Sequence, residues 1–372
     1  VIPVCEPQLD GNEEKYVLDC LRTNWISSSG PYLKKFEQEF SRSCGVPHAV
    51  SCTNATSAQH LTLAAWGIGS GDEVIIPDFT LIATANTVIL TGARPVLVDV
   101  EPDTGCLDPR QIEARITPRT RAIVAVHMYG HPCDMDAILA VARRHDLRVL
   151  EDAAEAHGAS IGSRRVGGLA DAAVFSFYGN KILTTGEGGM ITCRDAETAA
   201  RLRLMVNQGF EEPRFVHRVM GFNSRLTNLQ AALGLAQLEK LEQKVERKRE
   251  LARLYSERLR DVPDLGLPCE RPGFKNVYWM YGVVLGDRYR IPRNDVMRRL
   301  HESGVDSRAF FHPMHLQPVY GGADPRFPDC TGKFPVSTRL GNRGLYLPSG
   351  LSLTVSQVDE VVEKLRKILA AS

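Results

Sequence analysis

Lys181 ends the run Ser176-Phe177-Tyr178-Gly179-Asn180-Lys181, and Thr185-Gly186-Glu187-Gly188-Gly189-Met190 follows shortly after. A lysine on a glycine-rich turn, just after a buried apolar strand, is oddly placed for a surface charge. It is well placed for an amine that forms a Schiff base with a carbonyl cofactor. Such an amine needs an acid and a phosphate-binding turn nearby. The run Arg148–Glu155 ends another apolar strand in Glu151, Asp152 and Glu155. A buried acid there is costly unless it has a cationic partner or hydrogen bonds. A protonated pyridine nitrogen is one such partner, and an N-cap role for Asp152 is the simpler alternative. The segment Thr53-Asn54-Ala55-Thr56-Ser57-Ala58 follows a third strand and opens a helix. Its small residues let backbone N–H groups approach a phosphate, although a plain helix cap would read the same way. Ser176, five residues before the lysine, offers a further phosphate donor.

These residues depend on elements that bring strand ends together. Apolar, β-branched runs occur at His48–Cys52, Glu73–Pro77, Pro95–Asp99, Ala122–His127, Arg148–Asp152, Ala172–Ser176 and Gly189–Cys193. Amphipathic helices are predicted between several of them, at Ala55–Gly67, Leu81–Leu90 and Asp134–Arg144. Alternation of this kind predicts a mainly parallel seven-stranded sheet covered on both faces. In such sheets ligands bind at the carboxyl ends of the strands. One long helical stretch is predicted from Thr227 to about Asp261, its second half a solvated face of mixed charge. A strand near Trp279–Leu285 and helices near Arg293–Ser303 and Val355–Ala370 follow. The expected layout is a large domain over residues 1–250 and a smaller α+β domain over 251–372.

Composition narrows the class. The 372 residues are 43% hydrophobic and 24% charged, with a net charge of +1. That leaves no general field to attract nucleic acid or an anionic membrane. Nine scattered cysteines without a C-x-x-C pair argue against a disulfide framework and a thiolate zinc site. The first residues show no basic segment leading into an apolar core, and no run is long enough to span a bilayer. A cytoplasmic setting, with no nucleic-acid or membrane partner, is the expectation. A nicotinamide enzyme would need G-x-G-x-x-G between strand and helix, whereas Gly186–Gly189 lacks that spacing and precedes a strand. The pairs His127/His131 and His312/His315 lack a helical H-E-x-x-H pattern, so no metal is expected.

Taken together, Trp25–Gly30, Glu151–Gly158, Ser176–Met190, Gly221–Ala232 and His312–Tyr320 resemble the fold-type I, pyridoxal-phosphate-dependent sugar-nucleotide aminotransferases over essentially the whole chain. That resemblance implies Lys181 as the Schiff-base lysine and Asp152 as partner of the pyridine nitrogen. It implies Glu155 against the cofactor ring, and Ala55, Thr56 and Ser176 around the phosphate. Asn223 resembles an asparagine that reaches the phosphate from a neighbouring subunit, which implies a homodimer. Leu81 stands where relatives stack an aromatic ring; leucine covers a ring by dispersion alone. The Phe177–Lys181 context, with Glu155, Trp279-Met280-Tyr281 and Phe311–His315, implies amino transfer from L-glutamate to C4 of GDP-4-keto-6-deoxy-D-mannose. Amination at C3, or of another nucleotide sugar, is the alternative reading. A dehydratase of the same fold would carry His at position 181, and a non-catalytic relative would have lost the lysine or the acid. Candidate substrate residues are Trp25, Ser27, Tyr129, Arg225, Arg308 and His315. For His315 a structural role in a proline-rich turn, and for the arginines a surface ion pair, are the alternatives.

Overall fold

Short runs that are apolar on both faces can only be stable inside a covered sheet, and the chain builds one. In the computed structural model, which describes every residue except Arg214, Arg218 and Ser372, seven strands form the central sheet. They are β1 (His48–Cys52), β2 (Glu73–Pro77), β3 (Arg94–Val98), β4 (Thr120–Val126), β5 (Arg148–Asp152), β6 (Ala172–Ser176) and β7 (Gly189–Cys193). Their order is β1-β7-β6-β5-β4-β2-β3. All neighbouring pairs are parallel except those of β7, which is antiparallel to both β1 and β6. The reason lies in the connection. β6 joins β7 through residues 177–188 with no crossover helix, and a direct return forces antiparallel pairing. Lys181 sits on that return loop. Two reversals make β1 run with β6, so β1, β2, β4, β5 and β6 all end at one edge of the sheet.

Helices close both faces. Among them are α1 (Glu13–Thr23), α2 (Pro31–Cys44), α3 (Ala55–Ala65), α4 (Ile82–Leu90), α5 (Met135–Arg144), α6 (Ala196–Val206), α7 (Asn228–Leu238) and α8 (Leu241–Leu259). One apolar cluster joins α3, α4, α5 and α6 to the sheet, with Leu61, Ala85, Ile138 and Leu202 inside it. On the other face, Phe36 and Phe40 of α2 pack edge-on or tilted against Phe175 and Phe177. Gly234 of α7 makes this layer possible, because a Cβ there would lie 2.5 Å from the Phe36 ring. A four-stranded antiparallel sheet, formed by Leu265–Gly266, Tyr281–Leu285, Gly344–Leu347 and Arg308–Ala309, carries the third cluster with Tyr255, Val296 and Leu365. Ile2 joins that cluster and bridges to Val305, so the amino-terminal segment packs against elements late in the chain.

The single helix predicted over 227–261 is two helices, broken at Glu239 and Lys240. The break falls where the composition turns from Ala- and Leu-rich to charged. There Glu239 accepts from Asn12 and Tyr16, each at 2.7 Å, and Lys240 pairs with Asp10. α8 is also not solvated all round: Val245, Lys248, Leu251 and Tyr255 are buried along one side. No helix among the described residues is long and apolar enough to cross a membrane. All nine cysteines are free thiols.

Candidate active site

The strand ends place three ionisable groups together. Lys181 Nζ lies 3.7 Å from Glu155 Oε1 and 3.6 Å from the centroid of the Trp279 ring. Burial lowers the lysine's pKa, while the Glu155 and Asp152 carboxylates oppose that shift. Trp279 is clamped at both ends: its Nε1 donates to the Asn180 carbonyl at 2.8 Å, and its own carbonyl accepts from buried Lys248 at 3.0 Å. The indole therefore covers the amine in a fixed position and excludes water from one side. Neither the Trp279 contact nor the Lys248 clamp was visible in sequence, because both join residues about a hundred or thirty positions apart.

Asp152 is the last residue of β5 and is 7% exposed. Burial raises its pKa; the Ala154 N–H, the Lys181 charge, Gln59 and His127 act against that. Its neighbour Glu151 points to the opposite face, as period-two alternation requires. There Glu151 accepts from the N–H groups of Gly167, Leu169 and Ala170 and contacts His127 Nε2 at 3.1 Å. Strand parity thus separates the two acids: Glu151 is saturated, whereas Asp152 faces the lysine side.

Glu155 follows on the turn after β5. Its Oε2 accepts from the Tyr129 N–H at 2.8 Å. Tyr129 holds a left-handed backbone, φ 51°, which a non-glycine residue adopts at a cost. Near-parallel stacking on Trp279 and Phe311, and a 2.9 Å bond from the Trp279 N–H to its carbonyl, keep it there. Tyr129 therefore supports Glu155 through its backbone.

Beside β6, the side chain of Asn54 caps α3 by accepting from the Ser57 N–H at 2.8 Å. The N–H groups of Ala55 and Thr56 lie before the first possible intrahelical partner and remain available. Gly189 lets β7 approach this turn, since a Cβ there would lie 2.5 Å from Asn54 and 2.9 Å from the Ala55 nitrogen. Ser176, at the end of β6, accepts from the Tyr178 N–H at 3.3 Å. Leu81 is half-exposed at the start of α4, one turn before Thr84, which contacts Asp152.

The remaining candidates lie apart from the lysine. Trp25 and Ser27 are on an exposed segment, with their carbonyls bonded to Asn228. Asn223 is exposed and accepts from Arg225, which also donates to Asn207. Arg308 pairs with Asp306 at 2.6 Å. His315 has both ring nitrogens engaged, Nδ1 at 2.7 Å from buried Asp78 and Nε2 at 3.3 Å from Thr338. A cavity of about 610 Å³ opens across Tyr129 and Met280, but neither Lys181 nor Asp152 lines it. Among the described residues no group of His, Cys, Asp and Glu is arranged to hold a metal ion.

Residues 7–366 match the DegT/DnrJ/EryC1/StrS aminotransferase family. The chain belongs to this family. It is 47% identical to the GDP-perosamine synthase of Caulobacter vibrioides, over 99% of this chain and 98% of that one. The fold matches the crystal structure of the aminotransferase TlmJ from Streptoalloteichus hindustanus with a TM-score of 0.93 and 32% identity, covering 100% and 99% of the two chains. It also matches the crystal structure of S. venezuelae DesV in complex with a ketimine intermediate, at a TM-score of 0.89, 37% identity and coverage of 96% and 94%.

The aminotransferase site carries a pH signature of its own. Burial pushes the Glu155 carboxyl from an ordinary 4.5 up to about 7, with Lys181 and the Tyr129 N–H pulling it down. Between those two values the folded apoprotein keeps a proton that the unfolded chain has lost. Stability contributed by this group therefore falls as pH rises through that window. In Glu155→Gln the fall should be absent, a difference of up to about 3 kcal/mol between roughly pH 5 and pH 8. Urea unfolding of the two apoproteins at both pH values measures it.

Proposed function

We propose that this aminotransferase uses pyridoxal 5'-phosphate to move an amino group from L-glutamate to C4 of GDP-4-keto-6-deoxy-D-mannose, yielding GDP-perosamine. The observation that carries the reading is the buried Lys181–Glu155 contact with Asp152 beside it. The residues present suit the cofactor: a desolvated amine for its carbonyl, a buried acid for its ring nitrogen, and free N–H groups at the start of α3 for its phosphate. Gly189 keeps that last turn accessible to the end of the sheet. When bound, pyridoxal phosphate supplies an electron sink for the charge left as a Cα–H bond breaks.

The chain's own groups do the rest. Lys181 Nζ, made less basic by burial, takes the proton from the glutamate Cα and later delivers one to C4 of the sugar. Asp152, as a carboxylate, would be the counter-charge for a protonated ring nitrogen. Glu155 holds the amine in reach while Trp279 shields it from water. The GDP-linked C4 substrate is supported by the 47% identity to a GDP-perosamine synthase. We further propose two domains dividing near residue 250, and a homodimer in which Asn223 reaches the partner's phosphate site. Exposed Trp25, Ile26, Tyr178 and Met220 are apolar surface suited to such an interface.

Purified enzyme with L-glutamate and a panel of GDP- and dTDP-linked 4-keto and 3-keto sugars tests the substrate. The expected product is a 4-amino sugar from the GDP-linked 4-keto-6-deoxymannose. Product only from a 3-keto or dTDP-linked sugar would replace this assignment with the C3 or dTDP alternative.

A further inference from the structure

We infer that Gln59 is a positioning residue for the reaction, acting through Asp152, with Thr87 holding its amide in place. The inference rests on the pyridoxal phosphate reading above. Gln59 lies on α3 and is 2% exposed; Thr84 and Thr87 lie on α4 and are fully buried. Gln59 Nε2 donates to Asp152 Oδ2, and its Oε1 accepts from Thr87 Oγ1 at 3.0 Å. A flipped amide would set oxygen against the carboxylate, so the Asp152 contact fixes the orientation; the Thr87 hydroxyl, which also lies 3.0 Å from the Thr84 carbonyl, supports it from the Oε1 side. Thr84 Oγ1 approaches the same Oδ2 at 3.3 Å and lies 3.1 Å from Thr80 Oγ1. Among the described residues Oδ1 accepts only the Ala154 N–H, at 3.2 Å, and retains acceptor capacity.

This arrangement has a cost that packing alone does not explain. A buried amide must be satisfied at both ends, and an apolar side chain of similar volume would fill the same space without that demand. What Gln59 adds is a charge-assisted donor to an acid that burial would otherwise favour as neutral. A neutral Asp152 could not balance a protonated ring nitrogen. The other charges acting on Asp152 are Lys181 on its own side and, from the Glu151 face, His127, while Glu155 repels it from the turn after β5. Gln59, with the Ala154 N–H and the Thr84 hydroxyl, is a neutral donor that acts whatever their protonation.

The test compares wild type, Gln59→Leu and Thr87→Val. Pyridoxal phosphate is titrated into each apoprotein, and kcat and KM for glutamate are then measured across pH. For Gln59→Leu the cofactor dissociation constant should rise about tenfold, the scale of one charge-assisted hydrogen bond. Thr87→Val, nearly isosteric, should give a smaller rise of about threefold. In both, kcat should fall while KM for glutamate stays within about twofold, and the acidic limb of the kcat profile should move to higher pH. Wild-type cofactor affinity and an unmoved kcat profile in both variants, with only the urea midpoint lowered, would overturn the inference. A wild-type protein that takes up no pyridoxal phosphate would instead overturn the reading on which it rests.

Discussion

Lys181→Ala is expected to lose about a thousandfold or more in turnover, because it removes both the nucleophile and the proton carrier. The fold should survive. Lys181 lies on the loop between β6 and β7 and makes no backbone-specifying side-chain bond; its partners are Glu155 and the face of Trp279. Removing the cation leaves Glu155 without its ionic partner, and that carboxyl, raised to about 7 even while the Lys181 charge pulls it down, can neutralise by keeping its proton. The variant should therefore purify as a folded protein. Wild type loaded with pyridoxal phosphate should show a visible absorbance that borohydride abolishes, with the cofactor mass retained on the peptide containing Lys181. The alanine variant should retain no such mass. Cofactor fixed to a different lysine in wild type would refute the assignment of Lys181, whatever the turnover of the variant.

Asp152→Asn comes second in expected effect. The amide preserves size and keeps one accepting oxygen, but it carries no charge. Losing one preorganised charged partner in a dry site costs about 10²–10³ in rate. The network behind it makes the change informative. Gln59 Nε2 donates to Oδ2 in the wild type, so an asparagine must present its oxygen to Gln59 and turn its NH₂ toward the Ala154 N–H. A donor then faces a donor, and cofactor affinity should fall along with kcat. Steady-state rates with glutamate and equilibrium cofactor titration separate the two losses. A variant with wild-type kcat would remove Asp152 from the mechanism.

Much of this protein was legible residue by residue. Strands β1, β2, β5, β6 and β7 lie where their apolar runs end, because turn residues and charges bound each run sharply. β3 and β4 start earlier than their runs, since Arg94 and Thr120 pair along the ladder without being apolar. The helix over 227–261 was overextended: periodicity continues through Glu239 and Lys240, and only their contacts with Asn12, Tyr16 and Asp10 reveal the break. Those partners lie more than two hundred residues away in the chain.

At the site, the residue types at positions 55, 56, 152, 155, 176 and 181 were readable because each ends or follows a strand, and strand ends are where such a sheet gathers its chemistry. Their motifs also determined the family on their own. Tertiary structure decided what local pattern cannot encode. It separated Glu151 from Asp152 by strand parity together with three N–H groups from a later loop. It set Trp279 over the amine and Tyr129 behind Glu155, contacts across segments that meet only after folding. It bonded His315 to Asp78 and Arg308 to Asp306, engagements that depend on which side chains share a buried or exposed neighbourhood. Gln59 meets Asp152 only when α3 packs over the end of β5, because a hydrogen bond to a buried acid is a property of packing and not of spacing.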